Sequence, residues 1–169
     1  MNKVLIMGCC GSGKTTLAEQ INKLCGLPII SLDQHYFQPG WVETPQIEWQ
    51  KKVKKLAARP RWVMDGNYRS TLKHRAQEAD TIIYLDFCAL TCMYRVIRRI
   101  YKYSGTVRPH MAAGCTERLD WEFLHYVLTF NVRNRRKNYK FLSQQKTTKT
   151  VVILKNQSIV DLYINSLKT

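Results

Sequence analysis

Short apolar runs that end in an acidic residue or a glycine alternate along this chain with stretches of helical period. Residues 3–7 are an apolar run stopped by Gly8, and residues 15–24 then place Leu17, Ile21 and Leu24 on one helical face. The pattern predicts strand, glycine loop, helix. Residues 28–32 predict a second strand, closed by Asp33 and followed by the ring-rich loop HYFQPGWVE. Thr44 as N-cap and Pro45 as first helical residue then open a helix reaching about residue 58. A third strand over 62–64 ends at Asp65 and Gly66, a short polar helix covers 70–79, and a fourth strand over 81–85 ends at Asp86.

After Asp86 the rhythm changes. Residues 91–103 read as a helix, 104–115 as a Gly/Pro-bearing segment, and about 117–142 as a long helix. A last strand over 151–154 and a helix over 159–167 close the pattern. Alternating strands and helices predict an α/β fold with a parallel, doubly wound sheet, whose ligands bind at the carboxyl ends of the strands. With no repeat, low-complexity tract or linker, residues 1–169 are expected to form one domain, in which about 103–118 acts as a mobile lid.

Composition narrows the class. The chain is 45% hydrophobic and 11% aromatic, ordinary for a globular protein, and no window approaches the roughly 18 apolar residues of a membrane span. No membrane partner is expected. The opening apolar run leads into a glycine loop instead of a small-residue cleavage site, so it reads as a strand and not a signal peptide. The six cysteines form no CxxC pair and no zinc spacing, which points to reduced thiols and a cytoplasmic location.

The residues Gly8, Cys9, Cys10, Gly11, Ser12, Gly13, Lys14 and Thr15 match GxxxxGK[ST] in full, between a predicted strand and a predicted helix. In such a P-loop the backbone N–H groups form a nest for phosphate oxygens, and the helix adds the positive end of its dipole. Lys14 is expected to reach the β and γ phosphates of ATP and the Thr15 hydroxyl to ligate Mg²⁺, with Thr16 completing the nucleotide-binding stretch. The strand-end acids are the next candidates. Asp33 would face the catalytic crevice and take a proton from an acceptor hydroxyl, or else serve as a cap. Asp65 would hold a water on Mg²⁺, with Asp86 as its rival, or cap the turn after it. His35, Tyr36, Phe37 and Trp41 form either one wall of an acceptor pocket, with His35 donating a hydrogen bond, or a satellite packing cluster.

Asp65-Gly66-Asn67-Tyr68-Arg69 is similar to the DGFPR segment of adenylate kinases, with Asn67 and Tyr68 in place of its Phe-Pro. Taken with GCCGSGKTTLA, LDQHYFQPGWVETP, WVMDGNYRSTL, ADTIIYLDF and the basic region around RPHM, nearly the whole chain resembles the adenylate-kinase-related family labelled DNA topology modulation proteins (FlaR-like). That resemblance implies a three-layer nucleoside-monophosphate-kinase fold with strand order 2-3-1-4-5 and a helical lid. It also implies ATP binding and leaves the acceptor open, while the likeness to the adenylate kinase segment puts Arg69 at the arginine that holds the acceptor phosphate there.

Charge is the compositional outlier. The formal net charge is +15, and residues 95–149 hold 13 Lys/Arg against three acids. Arg95, Arg98, Arg99 and Lys102 recur at helical spacing, as do Arg133, Arg136, Lys137 and Lys140. Same-sign residues on one stripe repel, so an anionic partner is expected. Two partners fit: a nucleotide, with Arg95, Arg99 and Arg133 as lid clamps and Arg108 as a further candidate, or nucleic acid along the basic helices. The functional expectation is an ATP-dependent phosphotransferase acting on a small nucleotide-like or hydroxyl acceptor. A nucleotide-dependent nucleic-acid-binding protein and a kinase of nucleic-acid ends are the alternatives.

Overall fold

The computed structural model describes residues 1–168. Five parallel strands form the central sheet: β1 (Lys3–Gly8), β2 (Ile29–Ser31), β5 (Trp62–Asp65), β6 (Thr81–Leu85) and β7 (Thr150–Leu154), in the spatial order β2-β5-β1-β6-β7. Counting only these five in chain order gives 2-3-1-4-5. A separate antiparallel hairpin pairs β3 (Phe37–Gln38) with β4 (Val42–Glu43). The helices are α1 (Lys14–Cys25), α2 (Leu32–Tyr36), α3 (Gln46–Ala57), α4 (Arg69–Glu78), α5 (Ala89–Tyr103), α6 (Trp121–Gln145) and α7 (Gln157–Ser166).

The sheet is buried on both faces because β1 is apolar throughout. Val4 and Ile6 join Leu17, Ile21, Val96, Val127 and Ile164 in a core under α1, α5, α6 and α7. Leu5 and Met7 point the other way, to Trp49, Val53, Leu56 and Ala76 from α3 and α4. Layering of this kind fits strands that read as continuous apolar runs. In the β1, β2 and β5 registers Ile6 and Ser31 both stand opposite Asp65, so the carboxyl ends of these strands lie level.

Three expectations from the pattern need correction. The ring-rich stretch after β2 is not plain loop: it forms α2 and then the β3–β4 hairpin, whose turn carries Gly40 and Trp41 at φ 79° and 66°. Thr44 does not cap α3. Its hydroxyl and N–H both bond the Tyr36 carbonyl, closing the hairpin, and Pro45 takes the cap position. The long helix α6 also starts later than its pattern predicts. Asp120 caps it by accepting from the Phe123 N–H at 3.1 Å, while Glu117 is buried upstream.

Candidate active site

The P-loop joins β1 to α1. Gly11 has φ +80°, and a Cβ there would sit 2.3 Å from the Cys92 carbonyl oxygen, so the loop lies directly on α5 and tolerates no side chain at this position. α1 begins at Gly13 with no side-chain cap, leaving its first N–H groups for a ligand. Lys14 Nζ donates to the Cys9 carbonyl at 2.9 Å. The Ser12 hydroxyl is buried and has no hydrogen-bond partner among the described residues, which suits a phosphate oxygen as partner. Cys9 and Cys10 contribute backbone: burial pushes the Cys10 thiol up, and a hydrogen bond to Cys92 keeps the Cys9 thiol protonated.

The loop floors a cleft of about 840 Å³. Lys14 and Thr15 of α1, Asp33 of α2, Asp65 at the end of β5, Arg95 and Arg99 of α5 and Arg108 of the segment after it all line the cleft. The Thr15 hydroxyl donates to Asp65 Oδ2 at 2.7 Å. Burial raises the Asp65 carboxyl above its usual range, and the Thr15 hydrogen bond opposes that rise. Asp33 accepts from the Tyr68 hydroxyl at 2.8 Å and pairs with Arg108 Nη2 at 3.3 Å. Burial, with Asp33 alongside, pushes the Tyr68 phenol far up, so Tyr68 is a donor and its partner oxygen an acceptor.

The cationic wall is held together by one carboxylate. Arg99 donates from Nε and Nη2 to Glu117 Oε1 at 2.9 and 2.6 Å, with its guanidinium 5.6 Å from the Phe123 ring centroid. Arg108 Nε lies 3.1 Å from Glu117 Oε2, an ion pair whose angles fall outside hydrogen-bond geometry. Arg95 bridges the Ser12 carbonyl and the Gln157 side chain and stacks 4.8 Å from the Phe87 ring centroid. The segment between α5 and α6 covers the cleft and is docked on the hairpin. Gly40 N–H donates to the Gly114 carbonyl and Trp41 Nε1 to the Thr116 carbonyl, while Phe37 and Trp41 pack on Met111, Ala112 and Cys115.

Several anticipated residues lie elsewhere. Arg133 is exposed on α6 and does not line the cleft. Arg136, Lys137 and Lys140 are exposed as well, so among the described residues Arg95 and Arg99 of α5 reach the cleft while no arginine of α6 lines it. Arg69 is also exposed, and its Nη1 donates to Asn134 Oδ1 at 2.8 Å, beside a separate cavity of about 30 Å³. His35 lies outside the cleft wall. Its carbonyl accepts from Lys52, and burial together with Lys52 and Arg59 lowers its ring pKa. Asp86 is turned away, bound by Arg135 and by the Tyr139 hydroxyl at 2.8 Å. Reading the sequence alone missed Tyr68 and Glu117. Glu117 did leave one signal, as one of only three acids among the 13 cations of residues 95–149.

No family model matches the chain, and no curated protein matches it in sequence. Solved structures do match its fold. A gluconokinase from Sinorhizobium meliloti 1021 superposes with TM-score 0.54 at 17% identity over 98% of this chain and 91% of that one. A shikimate kinase from Acinetobacter baumannii, solved in complex with shikimate, gives TM-score 0.58 at 12% identity over 99% and 90%. A deoxyadenosine kinase from M. mycoides, with bound dCTP, gives 0.50 at 15% identity over 97% of each chain. The chain has the α/β fold of P-loop kinases.

Proposed function

We propose that this protein is a P-loop phosphotransferase that moves the γ-phosphoryl group of Mg-ATP to the hydroxyl of a small acceptor, with Asp33 as general base. One observation carries the reading: the phosphate-binding loop and the tyrosine-bonded carboxylate of Asp33 open into the same arginine-lined cleft. An adenylate-kinase-like transfer to a phosphate would call on Arg69. That side chain lies outside the cleft, and so the acceptor is assigned as a hydroxyl. The resemblance to the FlaR-like group stays compatible with this assignment, since it leaves the acceptor open.

The backbone nest, the amino end of α1 and Lys14 hold the nucleotide phosphates. Thr15 and Asp65 supply the hard oxygens that suit Mg²⁺, which takes few protein ligands and keeps water and phosphate oxygens for the rest. Bound there, the ion would neutralise charge on the phosphates. Asp33, oriented by the Tyr68 hydroxyl, accepts the hydroxyl proton as the acceptor oxygen bonds to the γ-phosphorus. The bond from that phosphorus to the β–γ bridging oxygen breaks, and ADP leaves with its electron pair. Arg95, Arg99 and Arg108 face the charge that develops, and the covering segment keeps water from the γ-phosphate.

The test is a Mg-ATP turnover screen against nucleosides, nucleoside monophosphates, sugars and oligonucleotide ends, with Lys14→Ala as blank. Turnover confined to hydroxyl acceptors supports the reading; turnover only with monophosphates, or none above the blank, overturns it. The exposed stripe of Arg133, Arg136, Lys137 and Lys140 favours a second reading, contact with nucleic-acid phosphates. It would show as salt-sensitive duplex binding that these residues carry and the cleft does not.

A further inference from the structure

Behind the two acids lies a cation that the reaction just described does not use. Arg75 on α4 is fully buried, and among the described residues no carboxylate lies within ion-pairing distance of it. Burying a guanidinium without a carboxylate carries a desolvation cost that leucine or methionine of similar volume would avoid. Packing alone therefore does not account for arginine here.

Its hydrogen bonds do. Nη1 donates to the Gly66 carbonyl at 3.0 Å, Nη2 to the Tyr68 carbonyl at 2.7 Å, and Nε to the Thr71 hydroxyl at 3.2 Å. A planar fork of donors is the one side-chain shape that spans two carbonyls and a hydroxyl at once. Gly66 and Tyr68 belong to the turn after β5, and that turn touches the site in three places. Asp65 accepts from Thr15 at its start, Asn67 Nδ2 donates to the Gly8 carbonyl at 2.6 Å in its middle, and Tyr68 donates to Asp33 at its end. The turn is also tightly seated: Gly66 has φ +127°, and a Cβ there would come 2.7 Å from Leu32 Cβ, one residue before Asp33.

We propose that Arg75 is a positioning residue that pins the Gly66–Tyr68 turn, so that one buried guanidinium sets the aim of Asp33 through Tyr68. The inference rests on the phosphotransfer reading for its kinetic consequence, but not for its structural one. Burial draws the Arg75 guanidinium down to about 10, with Tyr68 and Asp65 pulling the other way, so it stays charged at neutral pH.

The experiment compares wild type, Arg75→Lys and Arg75→Met by NMR of ¹³C-labelled tyrosine at one fixed pH, and by turnover. With Arg75→Met the Tyr68 ring resonance, identified by its loss in Tyr68→Phe, is expected to shift as the turn that Arg75 holds moves, while those of Tyr101 and Tyr163 are unmoved. KM for Mg-ATP stays within about threefold and kcat falls by about 100-fold, the scale of a small misplacement at the reacting centre. In a Tyr68→Phe background the same substitution costs far less, because the link it acts through is already cut. An unmoved Tyr68 resonance in a folded variant, or an equal kcat loss in both backgrounds, overturns the proposal. Should wild type show no turnover above Lys14→Ala, the functional reading fails while the Tyr68 resonance still decides the role of Arg75. If Arg75→Met does not fold, Arg75→Lys carries the same comparison, since one ammonium cannot span both carbonyls and Thr71.

Discussion

At the scale of single residues, the two carboxylates Asp33 and Asp65 that line the cleft have different neighbours, and those neighbours suit them to different tasks. Asp33 keeps contact with the cleft and is oriented by a phenol, which is the arrangement of a base. Asp33→Asn should lower kcat by about 10²–10⁴-fold with KM for Mg-ATP nearly unchanged, the usual range for losing a general base. Arg69→Ala should leave kcat within about threefold, because its guanidinium is exposed and bonded to Asn134. Steady-state kinetics with the acceptor found in the screen checks both.

Asp65 is buried, and its carboxyl holds its proton more tightly in the folded chain than in the unfolded one. The folded state then binds more protons between the two pKa values, so stability falls as pH rises through that window, and the loss is complete above the folded-state pKa. Asp65→Asn removes the buried charge. It should raise Tm above that window, at about 2–4 °C per kcal/mol for a chain of this length, and lose that advantage below the ordinary carboxylate range. Thermal melts across pH test the sign, and Mg²⁺-dependent turnover of the same variant should fall.

At the scale of elements, the P-loop is shaped by what it leans on as much as by its own glycines. Gly11→Ala would force a Cβ against the carbonyl of Cys92 in α5 while holding a backbone angle that side chains rarely adopt. Strain of this kind costs about 1–3 kcal/mol, and overlap with backbone adds to it. Tm should drop by several degrees, and Mg-ATP should no longer protect the chain against unfolding, as read by melts with and without nucleotide.

At the scale of the whole molecule, the covering segment and the hairpin are joined by the small cluster of Phe37, Trp41, Met111, Ala112 and Cys115, which stands apart from the two main cores. Few apolar contacts of its own make this unit the first to open. Trp41→Ala removes the bond to the Thr116 carbonyl and part of the cluster. If docking weakens by about 1–2 kcal/mol, the open population rises roughly 5–30-fold, which trypsin cutting after Arg118 should report.

Much of this was readable in the chain before folding. The glycine loop, the strand end at Asp65 and the alternation of strand and helix are local patterns, set by sterics and by which residues suit water, and they determined the fold class and the P-loop side of the cleft. Facing was not readable. Helical period shows that Arg95 and Arg99 share a stripe, as Arg133 and Arg136 do, but a stripe carries no information about what it packs against. Only tertiary structure decided that Arg95 and Arg99 of α5 reach the cleft while Arg133 and Arg136 of α6 stay exposed outside it, that Arg69 lies outside, and that Glu117 gathers Arg99 and Arg108. The same holds for Tyr68 and Arg75, whose partners are brought together by chain segments that meet only once the sheet has formed.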